Sequence, residues 1–370
     1  MTLPRGMRMT TPVARASRVI TVHSKVTMDS DTRFETVATS VISRRSFLRK
    51  TIALVPVAAA VAGTARSEGQ RASEGTEKAA AEHHPTFVNG ATPTRYSDYT
   101  CFRFHFNSGV AFVTMDHPPL NLLDEVMSQE FEKLGRELEA DETVRVVVLQ
   151  SALPDFFIAH SGLRRFAGGS KVVSHTRSFR LTQMIGERFR NMPKVTIAKV
   201  EGRARGGGSE IALAMDMCFA AVGKAIFRQP EVAWGLVPGG GSTQRLPRLM
   251  GRGRALEVLL GSNDLSAELA ERYGYINRAL PGHELTPFVE NLAHRIASFP
   301  PHAIGHIKAA VDTGAFGSIA EGLLVEAHES DLALANEVAQ ARIAESLKLG
   351  AETYQGELEM DFLSKLSPIR

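Results

Sequence analysis

The sequence predicts a fold of the α/β class, and three observations support this prediction. The segment Arg145–Gln150 is almost entirely apolar, which is typical of a strand covered on both faces. Phe102, Phe104 and Phe106 alternate with polar residues, as in a strand with one buried face. Segments of helical periodicity follow such strands in a repeated order of strand, strand and helix. We therefore expect one mixed fold without a long separate domain.

The first elements form a predicted hairpin, followed by alternating helices and strands. The hairpin joins strands 102–106 and 110–115, because Asn107-Ser108-Gly109 between them has the composition of a turn. The elements expected next are a helix from Asp124 to Ala140, a strand from Arg145 to Gln150, a helix from Val172 to Asn191 and a strand from Lys194 to Val200.

The later elements are mostly helical. We expect strands at Met217–Val222 and Ala225–Phe227, then helices at Leu246–Leu260, Ser266–Tyr273, Leu285–Ser298, Pro301–Thr313 and Ile319–Leu347, with an amphipathic helix over Glu352–Leu366. This order predicts an α/β core over residues 96–280 and a C-terminal helical region over residues 281–370.

The N-terminal part differs from the rest in charge and composition. Residues 1–66 carry a net charge of +8 in a chain whose total is +3, so the remainder carries −5. Ser43–Lys50 reads Ser-Arg-Arg-Ser-Phe-Leu-Arg-Lys and resembles the twin-arginine export motif. The 13 uncharged residues Thr51–Gly63 suit a signal peptide and are too short to span a bilayer.

These features predict a basic leader over residues 1–66 and export to the periplasm or cell envelope; the alternative is a basic start to a cytoplasmic enzyme. Residues 67–95 are polar and small, which predicts a linker. An acidic body argues against nucleic-acid binding. Two cysteines, Cys101 and Cys218, permit one disulfide at most, and the sequence lacks the spacings of a metal site, so we expect no metal.

The stretch Val200–Asp216 predicts the end of a strand, a glycine loop and a helix with a glutamate in its first turn. Three consecutive glycines, Gly206 to Gly208, precede Ser209 and Glu210. The first N–H groups of a helix have no partner inside the helix and lie at its positive end, where they stabilise an oxygen that gains negative charge. The alternative for three glycines alone is a tight turn packed against a sheet.

Two further motifs follow closely. Phe227–Glu231 reads Phe-Arg-Gln-Pro-Glu, and Gly235–Leu246 reads Gly-Leu-Val-Pro-Gly-Gly-Gly-Ser-Thr-Gln-Arg-Leu. With the glycine loop, these segments resemble the crotonase family, also called the enoyl-CoA hydratase/isomerase superfamily. Its members carry GGG-x-E-[LI]-A-x-x-x-D, F-x-x-P-E and G-x-x-P-G-x-G-[GS]-T-Q-R-L in the same order.

The resemblance implies a crotonase-like ββα spiral with a C-terminal helical region that mediates trimers. We accordingly expect a homotrimer or a hexamer made of two trimers. The resemblance also implies an acyl-CoA thioester substrate and no cofactor apart from the CoA that belongs to the substrate.

The resemblance further implies an oxyanion hole made of two backbone N–H groups. Phe156–Leu163 lies where the family has F-x-A-G-A-D-L, and the family uses the N–H of the second alanine there and of the middle glycine of GGG. These positions are Ser161 and Gly207. His160 and Gly162 depart from the motif, and a change from glycine to histidine forbids some loop geometries.

Two glutamates match the acids that family hydratases use. Glu210 is assigned to activation of water, and Glu231 to proton transfer at the α-carbon. Alone, Glu210 is also explained by a favourable helix-dipole charge and Glu231 by a salt bridge in a loop. We expect the substrate site to include Ala159, His160, Gly206, Trp234 and Gly239. His160 either packs or lines the cofactor channel, or it acts as an active-site side chain. Trp234 lies at the rim of the acyl pocket, in a subunit contact or in the core.

The predicted function is enoyl-CoA hydratase, a lyase that adds water across the 2,3 double bond of an acyl-CoA. One alternative is an enoyl-CoA delta-isomerase or other crotonase-type thioester chemistry, since double-bond migration needs only the proton shuttle at Glu231. Another is an exported, non-catalytic binding protein on the same fold, suggested by the altered loop at His160 and by the leader.

Overall fold

The computed structural model describes residues 94–167, 178–363 and 365–366. The predicted leader, residues 67–93 of the predicted linker and the start of the helix predicted at Val172 lie outside the described residues. Within the described ranges, no helix is both long and apolar enough to cross a membrane.

Ten strands are present in the described residues. Their bounds are β1 Phe102–Asn107, β2 Val110–Met115, β3 Val146–Ser151, β4 Phe156–Ile158, β5 Val195–Val200, β6 Arg203–Arg205, β7 Met217–Ala221, β8 Ile226–Arg228, β9 Leu265–Ser266 and β10 Arg278–Leu280.

The same residues form ten α-helices. Their bounds are α1 Glu125–Ala140, α2 Leu181–Asn191, α3 Gly207–Ala214, α4 Ser242–Gly261, α5 Ala267–Tyr273, α6 Gly282–Ala297, α7 Pro301–Phe316, α8 Ile319–Leu334, α9 Glu337–Lys348 and α10 Tyr354–Glu359. Short 3₁₀ helices lie at Thr94–Tyr96, Leu163–Phe166, Glu231–Trp234 and Asp361–Leu363.

The strands form two sheets, and successive parts of the chain contribute strands to both of them. The larger sheet has the order β1-β2-β3-β5-β7-β10 and the smaller has the order β4-β6-β8-β9. In each of the pairs β3–β4, β5–β6 and β7–β8, the first strand belongs to the larger sheet and the second to the smaller one. In the larger sheet β3 pairs with β5 and β5 with β7, and in the smaller sheet β4 pairs with β6 and β6 with β8; all four pairings are parallel. A helix follows each pair, so the chain winds as the predicted ββα spiral, and the α/β class is confirmed.

The apolar run Arg145–Gln150 is explained by burial on both faces of the larger sheet. Val147 and Leu149 face the main core, whereas Val146 and Val148 face a second core that is closed by α6. Because successive strand residues point to opposite faces, a strand between two cores needs apolar residues at every position. Cys101 and Cys218 are both buried free thiols, so the disulfide that they permit is not formed.

Several predicted helix bounds were wrong for identifiable reasons. Among the described residues, α2 begins only at Leu181. The single helix predicted over Ile319–Leu347 is two helices, because Asn336 is extended and its side chain caps the start of α9 by accepting the N–H of Val338. The helix predicted from Leu246 begins at Ser242 and contains a break at Gly251, whose φ of 79° lies in the left-handed region. The predicted Glu352–Leu366 helix contains only the six-residue α10 and a 3₁₀ turn.

Candidate active site

The three consecutive glycines follow β6 and are needed for close packing: Gly206 caps α3, and Gly207 and Gly208 are its first two residues. Gly206 has φ 50° and ψ −124°, a conformation that favours glycine, and a Cβ there would lie 2.7 Å from Glu231 Oε1. A Cβ on Gly207 would clash with Ser161 Oγ, and one on Gly208 would lie 2.5 Å from the carbonyl oxygen of Ile158. The loop therefore lies directly against β4, Ser161 and Glu231.

Two backbone N–H groups in this region have no acceptor among the described residues. Leu123 pairs with Ser161 as an isolated parallel bridge: the Leu123 N–H donates to the His160 carbonyl at 3.0 Å, and the Gly162 N–H donates to the Leu123 carbonyl at 3.0 Å. These two hydrogen bonds involve His160 and Gly162, the neighbours of Ser161, so the Ser161 N–H takes no part in the bridge and is left without an acceptor among the described residues. Gly207 is the first residue of α3, so its N–H has no partner within the helix.

Glu210 is held in the first turn of α3 by the loop that precedes α4. The side chain is 4% exposed, and Oε1 accepts the N–H of Gly240 at 2.7 Å and that of Ser242 at 3.2 Å. A Cβ on Gly240 would lie 2.5 Å from Glu210 Oε2. The carboxylate is thus fixed in orientation by two backbone donors, and Gly240 is required for their close approach.

The Glu231 carboxylate is buried and incompletely hydrogen-bonded. The residue is 9% exposed, and its Oε2 is buried without a hydrogen-bond partner in the described structure. Burial, with a further contribution from the negative charge of Glu210, raises the pKa of Glu231 to about 7. The two acids therefore lie close enough for the charge of Glu210 to act on Glu231.

Arg245 fixes the loop that holds Glu210. Its Nη1 donates to the Gly240 carbonyl at 3.1 Å, and its Nη2 contacts Glu187 Oε1 on α2 at 2.7 Å. One guanidinium thus connects the loop to a neighbouring helix, in keeping with the fork geometry of arginine.

Residues 105–357 match the family model described as "Enoyl-CoA hydratase/isomerase". The chain belongs to this family. It is an enzyme of the enoyl-CoA hydratase/isomerase family, and its fold is crotonase-like.

Curated relatives and solved structures share most of their length with this enzyme. The crotonyl-CoA hydratase of Syntrophomonas wolfei is 33% identical over 236 residues, which cover 62% of this chain and 87% of that protein. The short-chain-enoyl-CoA hydratase of Clostridium acetobutylicum is 33% identical over 206 residues, 55% of this chain and 78% of that protein. The structure of Pseudomonas aeruginosa DspI aligns with a TM-score of 0.65 and 28% identity, covering 75% of this chain and all of that one.

The expected substrate-site residues of the enzyme differ in their contacts and in their exposure. The His160 Nδ1 lies 2.8 Å from the Ser161 carbonyl; because a carbonyl only accepts, the proton is on Nδ1. Its ring meets Trp234 edge to face at 5.8 Å between centroids. Trp234 is 43% exposed, which excludes core packing. Ala159 is buried beside His160, and a Cβ on Gly239 would lie 3.5 Å from Arg180 Nη1.

The enzyme also has a buried polar cluster that the motifs did not reveal. The Tyr275 hydroxyl lies 2.6 Å from Ser209 Oγ and accepts from Gln229 Nε2 at 3.0 Å. Gln229 was read only as a variable position between Phe227 and Pro230, and Tyr275 lies far along the chain in an apolar segment. In the sequence, the only hint of this contact is a polar residue directly before Glu210 and another two residues before Glu231.

Among the described residues, no group of three or more His, Cys, Asp or Glu side chains is placed to hold a metal ion.

Proposed function

We propose that the protein is an enoyl-CoA hydratase that adds water across the 2,3 double bond of an acyl-CoA thioester. The observation that carries this proposal is the pair of buried carboxylates, Glu210 and Glu231, which lie close enough to interact but in two different environments. Glu231 Oε1 lies against Gly206, whereas the Glu210 carboxylate lies against Gly240. The nearby guanidinium of Arg245 is paired with Glu187, and neither acid forms a salt bridge with a described residue, so a structural salt bridge does not explain their burial. A helix-dipole charge explains Glu210 alone.

The thioester carbonyl is polarised by the backbone N–H groups of Ser161 and Gly207. Both are without acceptors in the described structure, and Gly207 lies against the Ser161 side chain. Donors arranged in advance stabilise the negative charge that develops on the carbonyl oxygen, and one such donor contributes about 3–4 kcal/mol to the barrier reduction.

The two acids divide the proton transfers. Glu210 accepts hydrogen bonds from two backbone N–H groups, and we assign to it the proton that water loses as its oxygen bonds to the β-carbon. Glu231, with a pKa of about 7, keeps a proton near neutral pH and donates it to the α-carbon. The elements of water are thereby added across the double bond, with one proton taken up and one released by the enzyme.

The substrate handle is CoA in this proposal. Two relatives that match this chain over most of their own length are named crotonyl-CoA hydratase and short-chain-enoyl-CoA hydratase, which favours a 2-enoyl-CoA substrate. The exposed indole of Trp234 beside His160 suits a pocket rim that contacts the acyl chain.

The test is loss of enoyl absorbance when the purified protein is incubated with a 2-enoyl-CoA. We expect hydration by the wild type and a loss of at least about 10²-fold in kcat for Glu210→Gln and for Glu231→Gln, each of which removes one proton transfer. No hydration, combined with conversion of a 3-enoyl-CoA, would assign the protein as an isomerase. Activity that is unchanged in both variants would show that the carboxylates are not catalytic, as in the binding-protein alternative.

We also propose a site of action and an assembly. The leader motif Ser43–Lys50 and the uncharged Thr51–Gly63 support export by the twin-arginine route, with cleavage near the small residues Gly63–Ala65. Intact-mass measurement of the mature N-terminus in separated cell fractions tests this; a full-length chain confined to the cytoplasm contradicts it.

Exposed apolar side chains on α7 and α8 support a homotrimer, or a hexamer of two trimers.

A further inference from the structure

The two proposed catalytic acids come from different elements of the spiral, so a device is needed to fix their separation. Glu210 lies in the first turn of α3, whereas Glu231 begins the 3₁₀ turn that follows β8. Removal of a proton from the attacking water and donation of a proton to the α-carbon require both carboxylates to be held within a fraction of an ångström. The loop at Gly240 and Ser242 holds Glu210, but these hydrogen bonds do not reach Glu231.

One hydroxyl contacts a neighbour of each acid. Ser209, which precedes Glu210, lies 2.6 Å from the Tyr275 hydroxyl, and Gln229, two residues before Glu231, contacts the same hydroxyl at 3.0 Å. All three residues are buried. The Gln229 amide N–H donates to the Tyr275 hydroxyl, and either oxygen can donate in the contact between Tyr275 and Ser209, so one hydroxyl hydrogen-bonds both residues.

Tyr275 is itself anchored to the larger sheet. Its N–H donates to the Ala270 carbonyl at 2.8 Å. Two residues later, Asn277 pairs with β7: its N–H donates to the Cys218 carbonyl at 2.9 Å and its Oδ1 accepts the Cys218 N–H at 2.8 Å. The Tyr275 ring also packs against Phe227 of β8, with 5.4 Å between ring centroids. The hydroxyl is therefore presented from a rigid part of the fold.

We propose that Tyr275 is a positioning residue that sets the distance between Glu210 and Glu231 through Ser209 and Gln229. It touches neither the substrate nor the reacting carboxylates. This proposal rests on the proposed function, because it takes Glu210 and Glu231 as the groups that exchange protons with the substrate.

The test compares Tyr275→Phe with Tyr273→Phe in the full chain. Tyr273 is a matched control, because its hydroxyl bonds Glu257 on the surface at 2.8 Å. We expect Tyr275→Phe to lower kcat for hydration by roughly 10- to 100-fold with KM within about twofold of the wild type, since the acids shift while the binding surface remains. Tyr273→Phe should behave as the wild type.

A second variant covers the case in which Tyr275→Phe does not fold. Gln229→Met has nearly the same shape and removes an amide whose Oε1 is buried without a partner in the described structure, so folding should be retained. This variant removes only the hydrogen bond between Tyr275 and the segment that carries Glu231. We expect the same loss in kcat at unchanged KM, and a lower pH for the limb of kcat/KM that reports Glu231. A folded Tyr275→Phe or Gln229→Met protein with the kcat, KM and pH profile of Tyr273→Phe would overturn the proposal.

The two proposals fail in distinguishable ways. If the wild type does not hydrate 2-enoyl-CoA, or if Glu210→Gln and Glu231→Gln remain active, the proposed function fails. The positioning role is then decided by titration of Glu231, read from the pH dependence of unfolding with and without Glu231→Gln. A lower pKa of Glu231 in Tyr275→Phe than in Tyr273→Phe supports the role, whereas equal pKa values overturn it.

Discussion

Glu231 illustrates how one residue gains its chemistry from its surroundings. Burial and the neighbouring Glu210 raise its pKa from 4.5 to about 7. Between these two pH values the unfolded chain has lost the Glu231 proton while the folded chain keeps it. The free energy of unfolding therefore falls as the pH rises through this window, by about 3 kcal/mol in total from this group.

Glu231→Gln should remove this pH dependence, because an amide does not ionise. Urea unfolding at fixed protein concentration, at pH 4.5 and at about pH 8, gives the measurement. The wild type should lose more stability than the variant between the two conditions. Equal losses in the two proteins would mean that Glu231 titrates in the folded state as it does in the unfolded chain.

Gly207 provides a second prediction at the scale of one residue. A Cβ at this position would clash with Ser161 Oγ, so Gly207→Ala should displace one or both of the proposed oxyanion donors. We expect kcat to fall by roughly 10²- to 10³-fold while the protein remains folded. Gly253→Ala on α4 is the control, since a Cβ there meets nothing within 4 Å. Similar kcat values for the two variants would exclude Gly207 from a catalytic role.

The sequence revealed the residues that belong to short motifs and missed those that meet only in three dimensions. Glu210, Glu231 and the three glycines stand at characteristic spacings, so a motif identifies them. Tyr275 lies 66 residues from Ser209 and 46 from Gln229. No local spacing encodes such a contact, because it depends on how three separate turns of the spiral stack.

The prediction of strands and helices from the sequence is limited in a similar way. Strands β1, β2 and β5 were predicted to within about a residue because their apolar patterns are long and regular. Four strands of two or three residues, β4, β6, β9 and β10, were not predicted, since such short segments carry little periodicity; β8, also of three residues, was predicted. The break between α8 and α9 depends on the Asn336 cap, whose polar signal is weaker than the apolar pattern that continues across it.

The loop before α4 is the element whose position matters most for Glu210. Arg245 ties this loop to α2 by bonding the Gly240 carbonyl and Glu187 at once. Arg245→Met should free the loop and lower kcat by about tenfold or more, because the Gly240 N–H no longer holds Glu210 in place.

The control for this prediction is Arg252→Met, a change at an exposed position of the same helix. Steady-state hydration kinetics of both variants, with circular dichroism to verify folding, provide the measurement. A kcat for Arg245→Met that equals that of Arg252→Met would show that the loop keeps its position without the guanidinium.

At the scale of the whole molecule, the C-terminal helices present apolar surface that a single chain leaves in contact with water. Ile319 is 82% exposed and Leu324 is 75% exposed, and Ile307, Val311 and Leu323 on α7 and α8 are also exposed. The proposed trimer or hexamer would cover these side chains, because exposed apolar surface favours contact with another chain.

Leu324→Asp should therefore disrupt assembly without unfolding the monomer. A carboxylate buried in an apolar contact without a partner is strongly unfavourable, whereas the same group on a solvated helix face changes stability by less than about 0.5 kcal/mol. Light scattering after size-exclusion chromatography should give a mass of three or six chains for the wild type and for the control Glu326→Gln, which alters an exposed polar position of α8. The aspartate variant should elute with the mass of one chain. A monomeric wild type would contradict the proposed assembly. An aspartate variant with the wild-type mass would show that the contact between chains lies elsewhere on the surface.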